Sequence, residues 1–522
     1  MGFWGKKPKD TPPAQPRQPV RGAEEKGNPR SPQTTPQPVV NVPEFYSVEP
    51  ELQPYLSYPR PVMPALSGSP LQNFQPRIPA YEVFSQSVIG QRHINEGMEK
   101  EDNCGVWTDP DNGVWAFALG DGHGDPNCVR SKTGSDLVSQ IAIQKLRELA
   151  EGLHCENRTA LLLQKDWQEF FLRQVILSIQ TEWDRAVLQD LQARPLTEAE
   201  WAQCDVYLES YRKGEALEHL YGTTLIAGLA TREYLVLLQQ GDGRCDVFHA
   251  DGSVDQPIPW DDDCVGNATT SMCQPDTWKR CRYCVIDLHK DPVVACFAGS
   301  DGVEDSFRTM DDVHTYYRSL LLYTLDHGVA GLERYLATEL TRLNQAGSMD
   351  DTTVVGIVDL AAAQSLRGIY NRRNEAYRLL NIWDHADEAL RSKEGRKTFL
   401  FQKYAEAKQR FDSLQQKQAD IFRYYHAEQF LNKMGQADFA SQNIIGEEYN
   451  AARGILESWL NGNAHLQGKR EEYLAAQSEC EKWESEYRDC CRQYVGLQRE
   501  KAMAVRDFEA LFAQPHIPQN DR

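Results

Sequence analysis

The residues best suited to chemistry in this chain are aspartates that stand beside glycine at the ends of apolar runs. The clearest case is ALGDGHGD, residues 118–125, which follows the apolar run GVWAFAL and contains Asp121 and His123. A second apolar run, VVACFAG, leads into SDGVEDS, which contains Asp301 and Asp305. Asp121 and Asp301 therefore share one local pattern, an apolar strand followed by Asp-Gly.

Two further acidic pairs lie beside the strands. Glu101 and Asp102 end the stretch EGMEKED, and Asp350 and Asp351 precede the apolar run TTVVGIVDL. A single such aspartate is typical of a turn, but several at one end of a sheet would repel one another unless cations lay between them. Oxygen ligands without a matching His/Cys set favour Mg²⁺ or Mn²⁺ over zinc. Glycine beside the aspartates would let the backbone approach such an ion.

The elements that position these acids must come from the middle of the chain, about residues 81–360. Long stretches at 133–153 and 159–183 have apolar residues at helical spacing. The segment REYLVLLQQGDGRCDVFHADG predicts a β-hairpin over a Gly-Asp-Gly turn. Many strands with tight turns and grouped helices favour an antiparallel α+β domain. The predicted strands are GVWAFAL, GTTLIAGLA, EYLVLLQQ, CDVFHADG, RYCVIDL, VVACFAG and TTVVGIVDL.

Composition separates this middle domain from both ends of the chain. Residues 1–80 hold 18 of the 27 prolines, which predicts a disordered tail because proline lacks an N–H and prefers extended backbone. The tail would act as a tether or as a ligand for a proline-binding domain. Residues 361–514 contain no proline and are predicted to form an all-α, coiled-coil-like hairpin or small bundle, followed by a flexible end at 515–522.

The helical prediction rests on apolar residues that alternate by threes and fours. The segment NGNAHLQG, residues 461–468, is the predicted reversal between two helices. The same apolar stripe fits intrachain packing, dimerisation and partner binding. One helix carries Phe401, Tyr404, Phe411, Leu414 and Ile421; the later helix carries the rows Tyr473, Cys480, Tyr487, Tyr494 and Ala476, Trp483, Cys490, Leu497, Ala504.

Charge and composition exclude several classes of protein. The net charge of −20 argues against nucleic-acid binding, which needs a basic surface. No apolar run approaches the roughly 20 residues that span a bilayer, the start has no secretory signal, and Lys6 stands where a myristoylation motif needs Ser or Thr. The 13 cysteines are predicted to be free thiols in a reducing cytoplasm. Cys281 and Cys284, in CRYC, have the spacing of a zinc knuckle, so they are interpreted either as zinc ligands or as buried thiols.

Six motifs in one order give the chain a family resemblance. They span about residues 84–359 and resemble the metal-dependent protein phosphatases of type 2C, in particular the bacterial branch. The motifs are EDN at 101–103, GDGHGD at 120–125, GTT at 222–224, GDGR at 241–244, SDGVED at 300–305 and DDTT at 350–353.

The resemblance implies a sandwich of two antiparallel β-sheets flanked by α-helices, with two Mn²⁺ or Mg²⁺ ions at one end and a third, weaker ion. It implies that two ions hold a water that attacks the phosphate of phosphoserine or phosphothreonine without a phosphoenzyme. The residues matching the family's metal site are Asp121, bridging both ions, Gly122 through its carbonyl, Asp301, Asp350, Asp102 with Glu101, and Asp305 for the third ion.

Other positions leave alternatives open. His123 would be a general acid for the leaving oxygen or would orient a ligand. The family usually has a phosphate-binding arginine just before the acidic pair, whereas Arg92 and His93 lie further upstream here, and either would take that role. Gly243 stands where the family generally has serine.

The partners that the resemblance implies are a phosphorylated protein and, through the helical region, a Ser/Thr kinase or another protein in bacterial signalling. The alternative hypothesis is an inactive phosphatase fold that serves as a scaffold and binds partners through the helical region.

Overall fold

The described part of the chain is built around two five-stranded antiparallel β-sheets. The computed structural model describes residues 45–64, 78–204, 206–265, 268–417 and 464–513. In spatial order, the first sheet consists of β1 (Glu82–Val88), β10 (Thr352–Val358), β9 (Val293–Gly299), β6 (Arg244–His249) and β7 (Val254–Asp255). The second sheet consists of β2 (Asn103–Asp109), β3 (Val114–Gly120), β4 (Leu225–Thr231), β5 (Tyr234–Gln240) and β8 (Arg282–Asp287).

Helices flank the sheets and form the C-terminal region. In chain order, the helices of the described residues are α1 (Gln91–Glu96), α2 (Ser131–Cys155), α3 (Thr159–Leu162), α4 (Lys165–Ala193), α5 (Glu198–Gln203), α6 (Leu208–Arg212), α7 (Thr277–Arg280), α8 (Asp301–Glu304), α9 (Met310–His327), α10 (Val329–Ala346), α11 (Leu360–Ser365), α12 (Arg367–Lys417) and α13 (Ala464–Ala513). None of these helices combines the length and apolar character needed to cross a bilayer.

The sheets and helices stack in four layers. Apolar side chains of the two sheets meet between them, among them Phe117 of β3 and Val355 of β10, both fully buried. Helices α2 and α4 cover the outer face of the second sheet, where Val138 packs near Ala116. Helices α9 and α10 cover the first sheet in the same way. This confirms the predicted α+β sandwich, since each sheet buries one face against its partner and one against helices.

All seven predicted strands are present, whereas β1 and β2 were not predicted. These two strands are only partly buried along most of their length. Their sequences, EVFSQSV and NCGVWTD, mix polar and apolar residues without a continuous apolar run. The helix predicted at 159–183 is divided, because α3 ends at Leu162 and α4 begins at Lys165 and continues to Ala193.

The predicted hairpin over the Gly-Asp-Gly turn is wrong. β5 and β6 are consecutive in sequence, but β5 pairs with β4 and β8 in the second sheet, and β6 pairs with β9 and β7 in the first. Because β5 already has a neighbour on each side, it has no free edge for β6. The chain instead passes from one sheet to the other at Gly241, where φ is 108°.

The long helices α12 and α13 run antiparallel, as the predicted helical hairpin requires. The described residues fall into two compact units, one with residues 46–395 and 492–513 and the other with residue 45, residues 396–417 and residues 464–491. Within the first unit, Asp387 pairs with Lys501 at 2.6 Å. Within the second, Tyr404 stacks on Tyr487 with 6.0 Å between ring centroids.

The apolar stripe of α13 is largely buried, as predicted; its buried members are Tyr473, Ala476, Cys480, Tyr487, Cys490 and Ala504. On α12, Tyr404 is buried and Phe401 is exposed. The predicted reversal at 461–468 is wrong from Ala464 onward, because α13 already begins there and Ala, His, Leu and Gln are all compatible with a helix. Ile421, most of the proline-rich tail 1–80 and the end 515–522 lie outside the described residues. The division of the chain into these domains stays a prediction.

Candidate functional site

The register of the second sheet brings Asp102 and Asp121 to one end of the sandwich. Asn103, the first residue of β2, lies opposite Gly120, the last residue of β3. Asp102 directly precedes β2 and Asp121 directly follows β3, so both leave the sheet at the same edge. The predicted pairing of these two acids in space therefore follows from one antiparallel strand pair.

The first sheet places three more acids at the same end. Gly299, the last residue of β9, lies opposite both Val354 of β10 and Arg244 of β6. Asp301 therefore starts α8 just beyond β9, while Asp350 and Asp242 each lie two residues before their strands. Asp102 joins this group across the sandwich, because its Oδ2 accepts a hydrogen bond from the Thr353 hydroxyl at 2.7 Å.

Burial and mutual repulsion strongly raise the pKa values of three of these carboxyl groups, those of Asp102, Asp121 and Asp301. Burial, followed by the charges of Asp301 and Asp102, raises the pKa of Asp121 well above its ordinary value. Burial and the charge of Asp242 raise the pKa of Asp301 to about 7. Burial and the charge of Asp351 raise the pKa of Asp102 to about 7. Among the described residues, no Lys or Arg forms an ion pair with Asp102, Asp121, Asp242 or Asp301.

Asp351 anchors the loop between β1 and β2. Its carboxylate accepts backbone hydrogen bonds from Gly90 at 2.7 Å, Glu101 at 2.5 Å and Asp102 at 3.2 Å. The His93 Nδ1 atom lies 3.1 Å from its Oδ1. Burial alone would raise the pKa of Asp351, but the contact with His93 and these N–H groups hold it below the ordinary value. One carboxylate thus fixes the segment that carries Arg92, Glu101 and Asp102.

Arg92 and His93 differ in their access to solvent. The Arg92 side chain is 48% exposed, and its Nη2 donates to both oxygens of Asp350, at 2.8 and 3.0 Å. His93 is 2% exposed, and its contact with Asp351 outweighs burial and raises its pKa. Only Arg92 of this pair is therefore open to a molecule arriving from solvent.

The glycines beside the aspartates have a structural reason of their own. A Cβ on Gly122 would lie 2.8 Å from both the Cβ and the backbone oxygen of Glu101. A Cβ on Gly302 would overlap the backbone oxygen of Asp351. Glycine at these two positions therefore leaves room for a neighbouring chain segment. This close packing explains both glycines without the bound ion that was predicted from the sequence.

The remaining predicted residues lie at the margin of the acid cluster. His123 donates its backbone N–H to the Gly222 oxygen at 3.1 Å, and burial lowers its pKa to about 4, so its ring is neutral near pH 7. Asp305 is exposed, and burial of part of its surface with the charge of Glu304 raises its pKa. Burial raises the pKa of Glu101 to about 7, and its Oε2 has no hydrogen-bond partner among the described residues.

The donor set fits hard divalent cations. As they stand, no group of three or more His, Cys, Asp or Glu side chains within the described residues is spaced as a metal cage. The chemistry is nevertheless that of Mg²⁺ or Mn²⁺, because the clustered donors are carboxylate oxygens. Buried like charges without a cationic side chain are costly unless they are protonated or neutralised by ions.

Two residues of the site, Asp242 and Thr353, were not predicted from the sequence as functional, and the anchoring role of Asp351 was not predicted either. In the sequence, Asp242 is present only as part of the motif GDGR, yet its charge raises the pKa of Asp301. Asp351 and Thr353 form hydrogen bonds with the residues just before β2, although about 250 positions in the sequence separate the partners. The second aspartate of MDDTT draws attention to Asp351 in the sequence. No local pattern, however, indicates that its carboxylate accepts hydrogen bonds from the backbone N–H groups of Gly90 and Glu101.

Part of the chain matches a known protein family. Residues 89–340 match the family model described as protein phosphatase 2C, which confirms the resemblance found in the sequence motifs. No curated protein matches the chain.

Solved structures similar to the chain include the catalytic domain of the serine threonine protein phosphatase PstP in complex with two manganese ions, at 16% identity over 53% of this chain and 97% of that chain, with a TM-score of 0.31. Another is PppA, a regulatory component of T6SS in Pseudomonas aeruginosa, at 17% identity over 54% and 98%, with a TM-score of 0.32. A third is a C. elegans sex determining protein, at 16% identity over 55% and 68%, with a TM-score of 0.34.

Proposed function

We propose that the chain, whose residues 89–340 match the family model of protein phosphatase 2C, is a metal-dependent protein serine/threonine phosphatase. The reaction is hydrolysis of a phosphate monoester, which yields the free side-chain hydroxyl and inorganic phosphate. The observation that carries the proposal is the convergence of Asp102, Asp121, Asp242 and Asp301 at one end of the sandwich, where the pKa values of Asp102, Asp121 and Asp301 are raised.

The residues proposed to hold two Mn²⁺ or Mg²⁺ ions share oxygen donors: Asp121, the Gly122 carbonyl, Asp301, Asp350 and Asp102 with Glu101, and Asp305 for a third ion. When bound, such ions lower the pKa of a shared water towards neutrality and offset charge on the phosphoryl oxygens.

Arg92 is the proposed phosphate-binding residue. Its guanidinium contacts Asp350 through Nη2, and its Nε and Nη1 form no hydrogen bond with any of the described residues. A planar fork with free N–H groups matches the geometry of a phosphate dianion. His93, buried against Asp351, is instead a positioning residue for the loop that carries Arg92.

His123 has a proposed role in orienting the site. A group whose pKa is about 4 is a poor source of a proton near neutral pH, because so little of it is protonated. A neutral imidazole two residues after Asp121 in the sequence can still donate one hydrogen bond to a carboxylate or a water. This favours the orienting role over the general-acid role.

The substrates proposed are phosphoserine and phosphothreonine proteins in bacterial signalling, with a Ser/Thr kinase acting in the opposite direction. The antiparallel helices α12 and α13 are the proposed binding region for that kinase or another protein.

Hydrolysis of an aryl phosphate by the full chain tests the proposal. We expect activity with Mn²⁺, loss in chelator, recovery with excess Mn²⁺, and a decrease of at least about 10³-fold in kcat in Asp121→Asn. Asp111→Asn is the matched control, because Asp111 is an exposed turn residue, and it should keep full activity. Activity that survives both chelator and Asp121→Asn would contradict the mechanism.

A panel of phosphopeptides then tests the substrate class. We expect turnover of phosphoserine and phosphothreonine peptides in preference to phosphotyrosine peptides. A folded chain that binds Mn²⁺ but hydrolyses none of these substrates would instead support the inactive scaffold.

A further inference from the structure

An N-terminal segment of the chain fills a groove between the two long helices. This segment, Tyr46–Met63, is called the strap here, and it lies against α12 around residues 376–384 and against α13 around residues 495–512. The strap and both helix segments belong to one compact unit. The strap includes the 3₁₀ turn Pro50–Tyr55 and then Pro59 and Pro61, which favour an extended chain.

Apolar side chains of the strap enter the groove at intervals. Val48 and Leu52, 4% and 3% exposed, pack with Ala502 of α13. Further along, Tyr55 joins the cluster of Trp383, Ala504 and Val505. The last anchor is Met63, which packs with Leu380, Phe508 and their neighbours. Spaced apolar anchors in a helix-lined groove are a recurring way to bind a linear peptide.

Polar pairs fix the direction of the strap. Glu49 lies 3.0 Å from Arg499, and the Tyr58 hydroxyl hydrogen-bonds to Glu509, whose charge and hydrogen bond raise the pKa of Tyr58. Residue numbers on the strap and on α13 therefore rise together, so the strap runs parallel to α13.

Arg60 adds a contact to the other helix. Its Nε and Nη2 each donate to one oxygen of Asp384 on α12 at 2.8 Å. Two parallel N–H···O bonds of this kind specify geometry as well as charge. The strap is thus held by complementary groups on both walls of the groove rather than by apolar contact alone.

We propose that the groove between α12 and α13 is a peptide-recognition site for a linear segment with the anchors of the strap. In the intact chain the strap itself occupies the groove, and a free peptide of the same sequence can take its place. The contacts that support this site lie on two helices and not on the sheets that carry the acid cluster. The site is therefore independent of the proposed phosphatase chemistry.

Competition by the chain's own strap determines how the site must be tested. A ligand attached to the same chain has an effective concentration in the millimolar range, so a free peptide competes poorly with an intact strap. A full-length chain with Met63→Glu has a weakened strap and an available groove. The matched control is Val62→Glu, because Val62 is the neighbouring residue and is 81% exposed.

The probe is a fluorescent peptide with the sequence of residues 46–64, and binding is measured by anisotropy. We expect saturable, one-to-one binding to the Met63→Glu chain and at least about tenfold weaker binding to the wild-type and Val62→Glu chains. An unlabelled peptide of the same sequence should displace the probe. Equal binding to all three chains, or no binding to the Met63→Glu chain with its helical circular dichroism intact, would overturn the proposal.

A charge exchange tests the geometry without altering the apolar core. Arg60→Glu in the chain places a carboxylate opposite Asp384 at an exposed position, so it should loosen the strap without unfolding the helices. A peptide with Arg60→Glu should bind the Met63→Glu chain about tenfold more weakly than the wild-type peptide, and Asp384→Arg in that chain should restore its binding. Failure of Asp384→Arg to restore binding would show that the strap does not occupy this register, which contradicts the proposed site.

Discussion

Asp351 accepts a hydrogen bond from the backbone N–H of Glu101 at 2.5 Å, although the two residues are 250 positions apart. The same carboxylate receives the N–H groups of Gly90 and Asp102. One side chain at the start of β10 thus joins the first sheet to the loop that enters the second. The two halves of the acid cluster depend on this junction for their relative position.

Asp351→Ala should therefore weaken both stability and metal binding. Three N–H groups lose their acceptor, which predicts a decrease of about 2–4 kcal/mol in the free energy of unfolding. Because the loop also carries Glu101 and Asp102, the Mn²⁺ concentration for half-maximal activity should rise at least about tenfold. Urea unfolding in chelator and a Mn²⁺ titration measure the two effects.

The comparison for this variant is Asp351→Asn, which keeps one acceptor oxygen and should fall between Asp351→Ala and the wild type on both measurements. An Asp351→Ala protein with wild-type stability and an unchanged Mn²⁺ requirement would show that the loop is held by other contacts.

The raised pKa values of the clustered acids predict how metal-free protein responds to pH. The pKa of both Asp102 and Asp301 is about 7 in the folded chain, above the ordinary value of 3.8. The folded state therefore holds these protons more tightly, and their contribution to stability is present below about pH 4 and is lost as the pH rises to 7. In chelator, the Tm should be higher at pH 5.5 than at pH 8, and saturating Mn²⁺ at pH 8 should raise it.

Asp121→Asn separates this electrostatic effect from general destabilisation. Removing one buried negative charge relieves repulsion, so in chelator at pH 8 this variant should be more stable than the wild type by about 1 kcal/mol. It should also gain less from Mn²⁺. A variant that is less stable in chelator and gains as much from Mn²⁺ would show that repulsion among these acids is small.

The sequence predicts the strands and the acids well because both depend on local patterns. Asp121 and Asp301 closely follow apolar runs, and the packing of the two sheets then brings the ends of β3 and β9 together. The hairpin at Gly241 could not be predicted in this way, because the partner of β6 is decided by which strand edges remain free in the whole sheet. The positions of Asp351 and His93 likewise depend on the packing of α1 against the turn before β10, which no local pattern encodes.

Gly302 is predicted to tolerate no side chain. A Cβ there overlaps the backbone oxygen of Asp351, and a backbone atom cannot move aside as a flexible side chain can. Gly302→Ala should lower the free energy of unfolding by about 1–3 kcal/mol and decrease activity, because Asp301 precedes it. Chemical unfolding and a rate measurement with Mn²⁺ test this.

Gly152 provides the matched control for that substitution. It lies within α2, and a Cβ there meets no atom within 4 Å, so Gly152→Ala should be neutral or stabilise the protein by up to about 1 kcal/mol. If the two substitutions change stability equally, the close approach of Gly302 to Asp351 has no energetic consequence.

His249 predicts a second pH effect, which is opposite in chemical origin to that of the clustered acids. Its Nδ1 lies 2.8 Å from Asp291 and its Nε2 lies 3.0 Å from Asp255. Burial alone would lower the pKa of His249, but the hydrogen bonds with Asp255 and Asp291 outweigh it and raise the pKa to about 10. The stabilisation is therefore complete below about pH 6.5 and is lost as the pH rises towards 10.

His249→Gln should accordingly cost more stability at pH 6 than at pH 9.5. Both partner carboxylates are more than half exposed, so solvent screening limits the difference to about 1–2 kcal/mol. Urea unfolding at the two pH values measures it, and His289→Gln, at an exposed turn, should show no such dependence. A penalty for His249→Gln that is the same at both pH values would indicate a neutral imidazole.

Arg92 gives the most direct test of substrate binding. Since its exposed guanidinium is proposed to bind the phosphate, Arg92→Ala should raise KM for a phosphopeptide at least about tenfold, with a smaller decrease in kcat. Arg92→Lys should be intermediate, because an ammonium group supplies charge without the planar fork. The matched control is Arg158→Ala, just beyond the far end of α2, whose 25 residues span about 37 Å. A fall in kcat with KM unchanged would instead assign Arg92 to holding Asp350, the acid that its Nη2 already contacts.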